Sequence, residues 1–134
     1  MTMPNIDYQR LANFRYAVIT TIGEDGFPFS VATDFHLTPE KKILLDKPTM
    51  PVELEGKKVS VLFNHIAGIP TGGYTDRRYM LIWGTAVDEH GKLRLDPENL
   101  SEWDEKILPF PDYCSKQAPQ GARYLGRVQA SVEA

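Results

Sequence analysis

Short segments with the alternation of a β-strand, separated by turn residues, recur along most of this chain. Residues 16–22 are rich in β-branched side chains and lead into residues 23–26, which begin and end with glycine, as hairpin loops often do. Residues 27–37 then alternate between large apolar and small polar side chains, which is the two-residue period of a half-buried strand. The chain is therefore predicted to open with an antiparallel hairpin.

Further strands are predicted at roughly the eight- to twelve-residue spacing of small β-proteins. They cover residues 42–47, 58–64, 77–87, 92–95 and 123–133, with a glycine-rich loop over residues 66–75. Many short strands and few helices predict an all-β fold, β-rich with short helices, in which six to seven antiparallel strands form a closed or nearly closed barrel. No linker interrupts residues 1–134, so a single domain is expected.

One helix is predicted over residues 96–107. Asp96 would be its N-cap and Pro97 its first helical residue, and three apolar residues follow at helical spacing. One or two further helical turns are predicted over residues 49–55, with Gly56 as a C-terminal stop. The helices are thus expected to be short additions to a barrel.

Charges are spread along the chain without blocks of one sign, and 18 acidic against 15 basic residues give a net charge of -3. This distribution argues against coating of duplex nucleic acid and against a polybasic membrane anchor. No apolar run approaches the roughly twenty residues of a spanning helix, and the single cysteine, Cys114, allows no intrachain disulfide. We expect a soluble, cytoplasmic protein that binds neither nucleic acid nor a membrane.

Sequence motifs for protein-borne catalysis are missing. The chain has no glycine-rich phosphate loop before a helix, no metalloprotease motif, no Cys-x-x-Cys pair and no serine elbow. His36, His65 and His90 show no ligand spacing, so no metal site is expected. Cys114 has no base beside it and is expected to be a half-buried structural thiol. If the chain is an enzyme, a cofactor carries its chemistry.

Four blocks of the sequence carry a family resemblance through their order and spacing. They are residues 16–28, which end in Asp-Gly-Phe-Pro, then residues 29–35, residues 56–63, and residues 81–87 with their Gly-Thr-Ala sequence. Together they resemble the pyridoxamine 5'-phosphate oxidase-like family of FMN-binding split barrels, over residues 14–132. The resemblance implies an antiparallel split β-barrel.

The resemblance also implies a homodimer with two FMN sites at the subunit interface. The ring would lie along the second strand, where small side chains leave room for it. Trp83 would flank the ring, or would be a core or interface tryptophan instead. The cofactor-binding residues that the resemblance implies are Ser30, Val31, Ala32, Thr33, Leu45, Lys47, Thr49, Lys58, Arg77, Arg78 and Trp83.

The FMN phosphate is expected near Lys47 and Thr49, with Lys57 and Lys58 as second choices. Many family members carry an arginine and a lysine soon after a serine or threonine here, whereas this chain has methionine, proline and valine after Thr49. An arginine of the second subunit would then bind the phosphate, and Arg77 and Arg78 are the natural candidates. The alternative role for these two arginines is that of solvated charges at a strand edge.

The function expected from the resemblance is that of an FMN-dependent oxidoreductase acting on an unidentified small-molecule substrate. One alternative is a flavin or haem carrier without turnover. Another is a deazaflavin-dependent reductase on the same barrel, which would need a basic groove. An oligonucleotide-binding barrel would need aromatic residues interleaved with lysine and arginine on one sheet face, and the acidic balance argues against it.

Overall fold

A computed structural model describes residues 4–49 and 52–133, the side chain of Glu133 excepted. This part of the chain forms seven strands and two helices. Their bounds are α1 Tyr8–Leu11, β1 Ala17–Ile22, β2 Pro28–Thr33, β3 Phe35–Leu37, β4 Ile43–Asp46, β5 Lys58–Gly68, β6 Tyr74–Glu89, β7 Lys92–Asp104 and α2 Phe110–Glu133.

The strands form one sheet in the order β2-β1-β5-β6-β7-β4-β3, and the pairings β1–β2, β1–β5, β3–β4, β4–β7 and β5–β6 are all antiparallel. Its two edge strands, β2 and β3, are separated in sequence by Asp34 alone, so the sheet has to curl until its edges meet. The Thr33 hydroxyl donates to the carbonyl oxygen of Asp46 (2.7 Å), and the Asp46 N–H donates to that of Asp34 (2.9 Å). The expected antiparallel split barrel, here with seven strands, is confirmed.

Alternate residues of each strand face the interior of the barrel. In β1 every second residue from Ala17 to Thr21 is buried, and in β5 every second residue from Val59 to Phe63 is buried. Phe63 lies fully buried between the rings of Phe14 and Phe35, at centroid distances of 6.1 and 4.9 Å. The core residues are Ile6, Leu11, Phe14, Ala17, Ile19, Ile43, Leu45, Leu54, Val59, Val61, Phe63, Met80, Ile82, Ala86, Leu93 and Leu95.

Residues 96–104 of the segment predicted as a helix over residues 96–107 belong instead to β7, and residues 105–107 form a turn. Leu93 and Leu95 alternate into the core, and Asp96 accepts two hydrogen bonds from the Arg94 guanidinium (2.8 and 3.2 Å). Pairing of β7 with β4 is recorded only as far as Leu95, so Pro97 lies where no β4 residue needs its missing N–H. Sheet pairing therefore overrides the helix-start signals here.

The segment predicted as a strand over residues 123–133 belongs to the helix α2. Glycine and alanine mimic a two-residue alternation there, but Tyr124, Leu125, Val128 and Val132 also recur at helical spacing. The expectation that all helices are short is therefore wrong, because α2 has 24 residues. Near its start, the Trp103 ring stacks on Tyr113 at 4.5 Å.

The chain divides into two compact units, the first ending at Glu102 and the second beginning at Trp103. The helical turns predicted over residues 49–55 include Met50 and Pro51, which lie outside the described residues; Val52, Glu53 and Leu54 form no helix. Gly56, expected to end a helix, instead ends a turn, where it has a φ of +75°. No helix of the described residues is long and apolar enough to cross a membrane.

Candidate functional site

The outer face of β2, β1, β5 and β6 carries a row of small hydroxyl side chains that ends at a tryptophan. The strand register places Ser30 beside Thr20, Thr20 beside Ser60, and Ser60 beside Trp83. The Thr20 and Ser30 hydroxyls are 2.7 Å apart and share a hydrogen bond. We call these four residues the hydroxyl row. With neighbouring strands about 4.8 Å apart, the row spans about 14 Å.

A second row on the same face is apolar. The register places Ala32 beside Val18, Val18 beside Leu62, and Leu62 beside Leu81. All four residues are exposed or half-buried. We call them the apolar row. The outer face therefore combines a narrow polar strip with a parallel apolar strip, and the two strips are two residues apart on each strand.

A groove of about 440 Å³ lies at the β1, β5 and β6 end of the hydroxyl row. That volume is within the range of small-molecule sites. Gly84 lines the groove, and a Cβ atom at this position would collide with the carbonyl group of Asp96 on β7. The lining residues are Thr20, Thr21, Ile22, Lys58, Val59, Ser60, Trp83, Gly84 and Glu98.

The charged residues of the groove lining are Lys58 and Glu98, and they pair with each other. Glu98 also accepts a hydrogen bond from the Thr85 hydroxyl at 2.9 Å. The hydrogen bond from Lys58, followed by that from Thr85, lowers the pKa of the Glu98 carboxyl below its ordinary value. The groove therefore contains one positive and one negative charge at neutral pH.

Lys47 and Thr49, the residues first expected to hold a phosphate, lie outside the groove lining. Lys47, at the end of β4, donates to the Asp88 carboxylate at 2.8 Å. This bond raises the pKa of the Lys47 ammonium and lowers that of the Asp88 carboxyl. Thr49 is exposed. Lys58 therefore lines the groove without Lys47, and the two lysines pair with different carboxylates.

The arginines considered for the phosphate lie at the start of β6 and are half-buried. The Arg78 guanidinium donates to Asp76 at 2.9 Å and lies over the Phe14 ring, 5.4 Å from its centroid. The alternative expectation for Arg78, a solvated charge at a strand edge, is therefore wrong, because its guanidinium packs on Phe14 and binds Asp76. Neither Arg77 nor Arg78 lines the groove.

Three of the expected cofactor residues face the barrel interior. Leu45 is fully buried, Val31 packs against the core, and Thr33 donates its hydroxyl hydrogen to the Asp46 carbonyl oxygen. Their side chains hold the barrel together, and the buried Leu45 has no surface for a ligand. Of the expected residues, Ser30 and Ala32 share the outer face with Trp83, and Lys58 lines the groove with Trp83.

Thr20, Ser60 and Glu98 belong to the site but were not singled out from the sequence. Thr20 and Ser60 could be found only from the strand register that puts them beside Ser30 and Trp83. Glu98 lies within the predicted helix over residues 96–107, and only the extension of β7 brings it to the groove.

Other reactive side chains lie outside this face. His65 is 3.1 Å from Asp76, and His36 is 3.5 Å from Asp46. Cys114 is exposed, which corrects the expectation of a half-buried thiol. No group of three or more metal-ligating side chains was found among the described residues.

No protein-family model matches the chain, and no curated protein matches it either. Among solved structures, the chain is similar to the conserved hypothetical protein Rv2991 from Mycobacterium tuberculosis, with 18% sequence identity and a TM-score of 0.55. The match covers 79% of this chain and 89% of that protein. At this level of identity the similarity concerns the fold, so the chain shares with that protein a β-rich, split-barrel type of architecture.

Proposed function

We propose that the protein is a homodimeric, cytoplasmic flavin-binding protein, in which the flavin ring lies on the outer face formed by β2, β1, β5 and β6. FMN is the flavin that the family resemblance implies. The hydroxyl row carries this proposal, because it offers small hydrogen-bonding side chains across four strands with the Trp83 ring at one end. A fused three-ring system needs such a flat face with room above it.

The outer face fits the ring system in size and chemistry. Its span of about 14 Å exceeds the length of three fused rings. The hydroxyls of Ser30, Thr20 and Ser60 can donate to and accept from heteroatoms at the ring edge, and Trp83, whose residue surface is 39% exposed, has an open ring surface for stacking. The apolar row beside it would pack against the less polar part of the ring or against a second subunit.

A bound flavin would supply hydride and electron transfer to a small substrate, which makes an oxidoreductase the proposed activity. The residues of the groove would position the ring and keep water away from it. The charge balance of the groove does not favour a deazaflavin-dependent reductase, for which a basic groove is expected, since Lys58 is matched by Glu98.

The test of the flavin proposal is a parallel titration of the purified protein with FMN, riboflavin and haem. We expect the flavins to bind, with quenching of flavin fluorescence and a shifted visible spectrum. Binding of haem alone would replace the proposal by the carrier alternative. Absence of all binding would leave the outer face as a protein interface only.

Replacing Trp83 by leucine is expected to weaken flavin binding about two- to twelvefold, because an aromatic contact of this type contributes roughly 0.5–1.5 kcal/mol. Fluorescence titration measures the dissociation constant. The matched control is Tyr74→Leu, which removes an exposed aromatic ring from the other end of the same strand. An unchanged affinity in Trp83→Leu would exclude a ring position beside β6.

Replacing Leu62 by arginine is expected to convert a dimer into a monomer, because the charge would stand in the middle of the apolar row. Light scattering at micromolar concentration measures the mass. Ile69→Arg is the control, since Ile69 is exposed in the loop between β5 and β6. A wild-type protein that is already monomeric would contradict the proposed interface.

A further inference from the structure

The lysines expected to bind the FMN phosphate do not offer it an unmatched positive charge. Lys58 and Lys47 are the lysines expected to bind it, and the structure pairs them with Glu98 and Asp88 respectively. A phosphate group is attracted by unmatched positive charge, and the charge of each of these two lysines is already matched by a carboxylate. The hydroxyl row with Trp83 therefore fits a flavin ring, whereas the ion-paired Lys58 in the same groove does not fit the phosphate of FMN.

We propose that Glu98 is a specificity-determining residue, which makes the groove select an uncharged planar ligand of the flavin type, such as riboflavin, over its phosphorylated form. This inference rests on the proposed flavin site and names the ligand class that this site takes. The sequence-based expectation was FMN as the bound form. The preference for an uncharged ligand depends on Glu98, whose position at the groove the sequence alone did not indicate.

The position of Glu98 is fixed by the elements around it. It lies on β7, opposite the β5 and β6 residues of the groove, and its side chain is 34% exposed. The Thr85 hydroxyl donates to it from β6 (2.9 Å), and Lys58 donates to it from β5. The lowered pKa of its carboxyl keeps it ionised at neutral pH. A negative charge therefore stays at the groove when a ligand arrives.

A phosphate bound at Lys58 would lie beside the Glu98 carboxylate, whether the lysine, with its three N–H donors, keeps its bond to Glu98 or leaves it. The lysine side chain is 74% exposed, so this movement is sterically free, but it would leave an unneutralised carboxylate facing the phosphate. Like charges repel, and the pair as it stands presents no net charge to the ligand. The phosphate of FMN therefore binds no more favourably beside the Lys58–Glu98 pair than the terminal hydroxyl of riboflavin does. The flavin ring makes the same contacts in both ligands.

The experiment compares the dissociation constants of FMN and riboflavin for the wild-type protein and for Glu98→Gln. Glutamine keeps an acceptor for the Thr85 hydroxyl and removes the charge. Glu102→Gln is the matched control, because Glu102 is also on β7, is 33% exposed and pairs with Arg10 at 3.1 Å, but does not line the groove. Titrations at about 0.01 and 1 M salt, where the screening length is about 30 and 3 Å, separate charge effects from changes in shape.

We expect wild-type protein to bind riboflavin at least as tightly as FMN. Glu98→Gln should shift the affinity ratio about fivefold toward FMN at low salt, as expected for the loss of one exposed charge interaction. The shift should disappear at high salt and be missing in Glu102→Gln. Lys58→Gln, at an exposed position that tolerates substitution, should shift the ratio about fivefold the other way.

A wild-type preference for FMN, or a ratio that Glu98→Gln and Lys58→Gln leave unchanged, would overturn the inference while the flavin site stands. If no variant binds either flavin, the proposed function itself fails, and the inference fails with it. The two failures are therefore distinguishable in the same set of titrations.

Discussion

Replacing Phe63 by alanine is expected to lower the free energy of unfolding by about 3–5 kcal/mol, the usual range for a large aromatic residue removed from a packed core. Phe63 is fully buried on β5. Its ring meets Phe35 of β3 edge-on at 4.9 Å and Phe14 at 6.1 Å. The cavity would therefore open between the middle of the sheet, one of its edges and the segment before β1.

Urea unfolding of the purified variant measures this loss. Phe27→Ala is the control, because the same side chain is removed from a position that is 69% exposed. The control should change the free energy of unfolding by less than about 1 kcal/mol. Equal losses in the two variants would mean that Phe63 does not lie in the core.

Replacing Gly84 by alanine is expected to destabilise the protein by about 3 kcal/mol, at the upper end of the range for overpacking. The added Cβ atom would collide with the carbonyl group of Asp96 and would lie 3.1 Å from a methyl carbon of Leu95. A backbone carbonyl cannot rotate away as a flexible side chain can, so β6 and β7 would have to separate locally. Glu98 follows directly on β7, so the groove should be altered as well.

The control for Gly84→Ala is Gly68→Ala, at the far end of β5, where an added Cβ atom meets nothing within 4 Å. This control should be neutral to within about 0.5 kcal/mol. Thermal unfolding followed by circular dichroism compares the two variants. Equal melting temperatures would show that β6 and β7 approach each other less closely at Gly84 than the structure indicates.

The predictable part of the fold is the part in which local pattern and sheet pairing agree. Residues 16–22 and 27–37 give β1, β2 and β3 within a residue or two, except that the predicted second strand bends at Asp34. The alternation of apolar and polar side chains is sufficient there, since each strand pairs with a near neighbour in sequence.

The part of the fold that could not be predicted is the part in which contacts with residues distant in sequence determine the secondary structure. Asp96 and Pro97 have the local character of a helix start, yet pairing with β6 and the burial of Leu95 keep β7 extended. The site shows the same division. Ser30 and Trp83 could be named from the sequence, whereas Glu98 could not, because its place at the groove depends on β7 continuing beyond Leu95.

The bend at Asp34 has a consequence for the order in which the barrel forms. Four pairs, β1–β2, β3–β4, β5–β6 and β6–β7, join strands that are adjacent in sequence, and such pairs close short loops at little entropic cost. The β1–β5 and β4–β7 pairs close much longer loops. Since β2 and β3 belong to different local pairs and share only Asp34, the two pairs can form independently of each other. The folding rate is then limited by the two long-range pairings that bring β2 and β3 to opposite edges of one sheet.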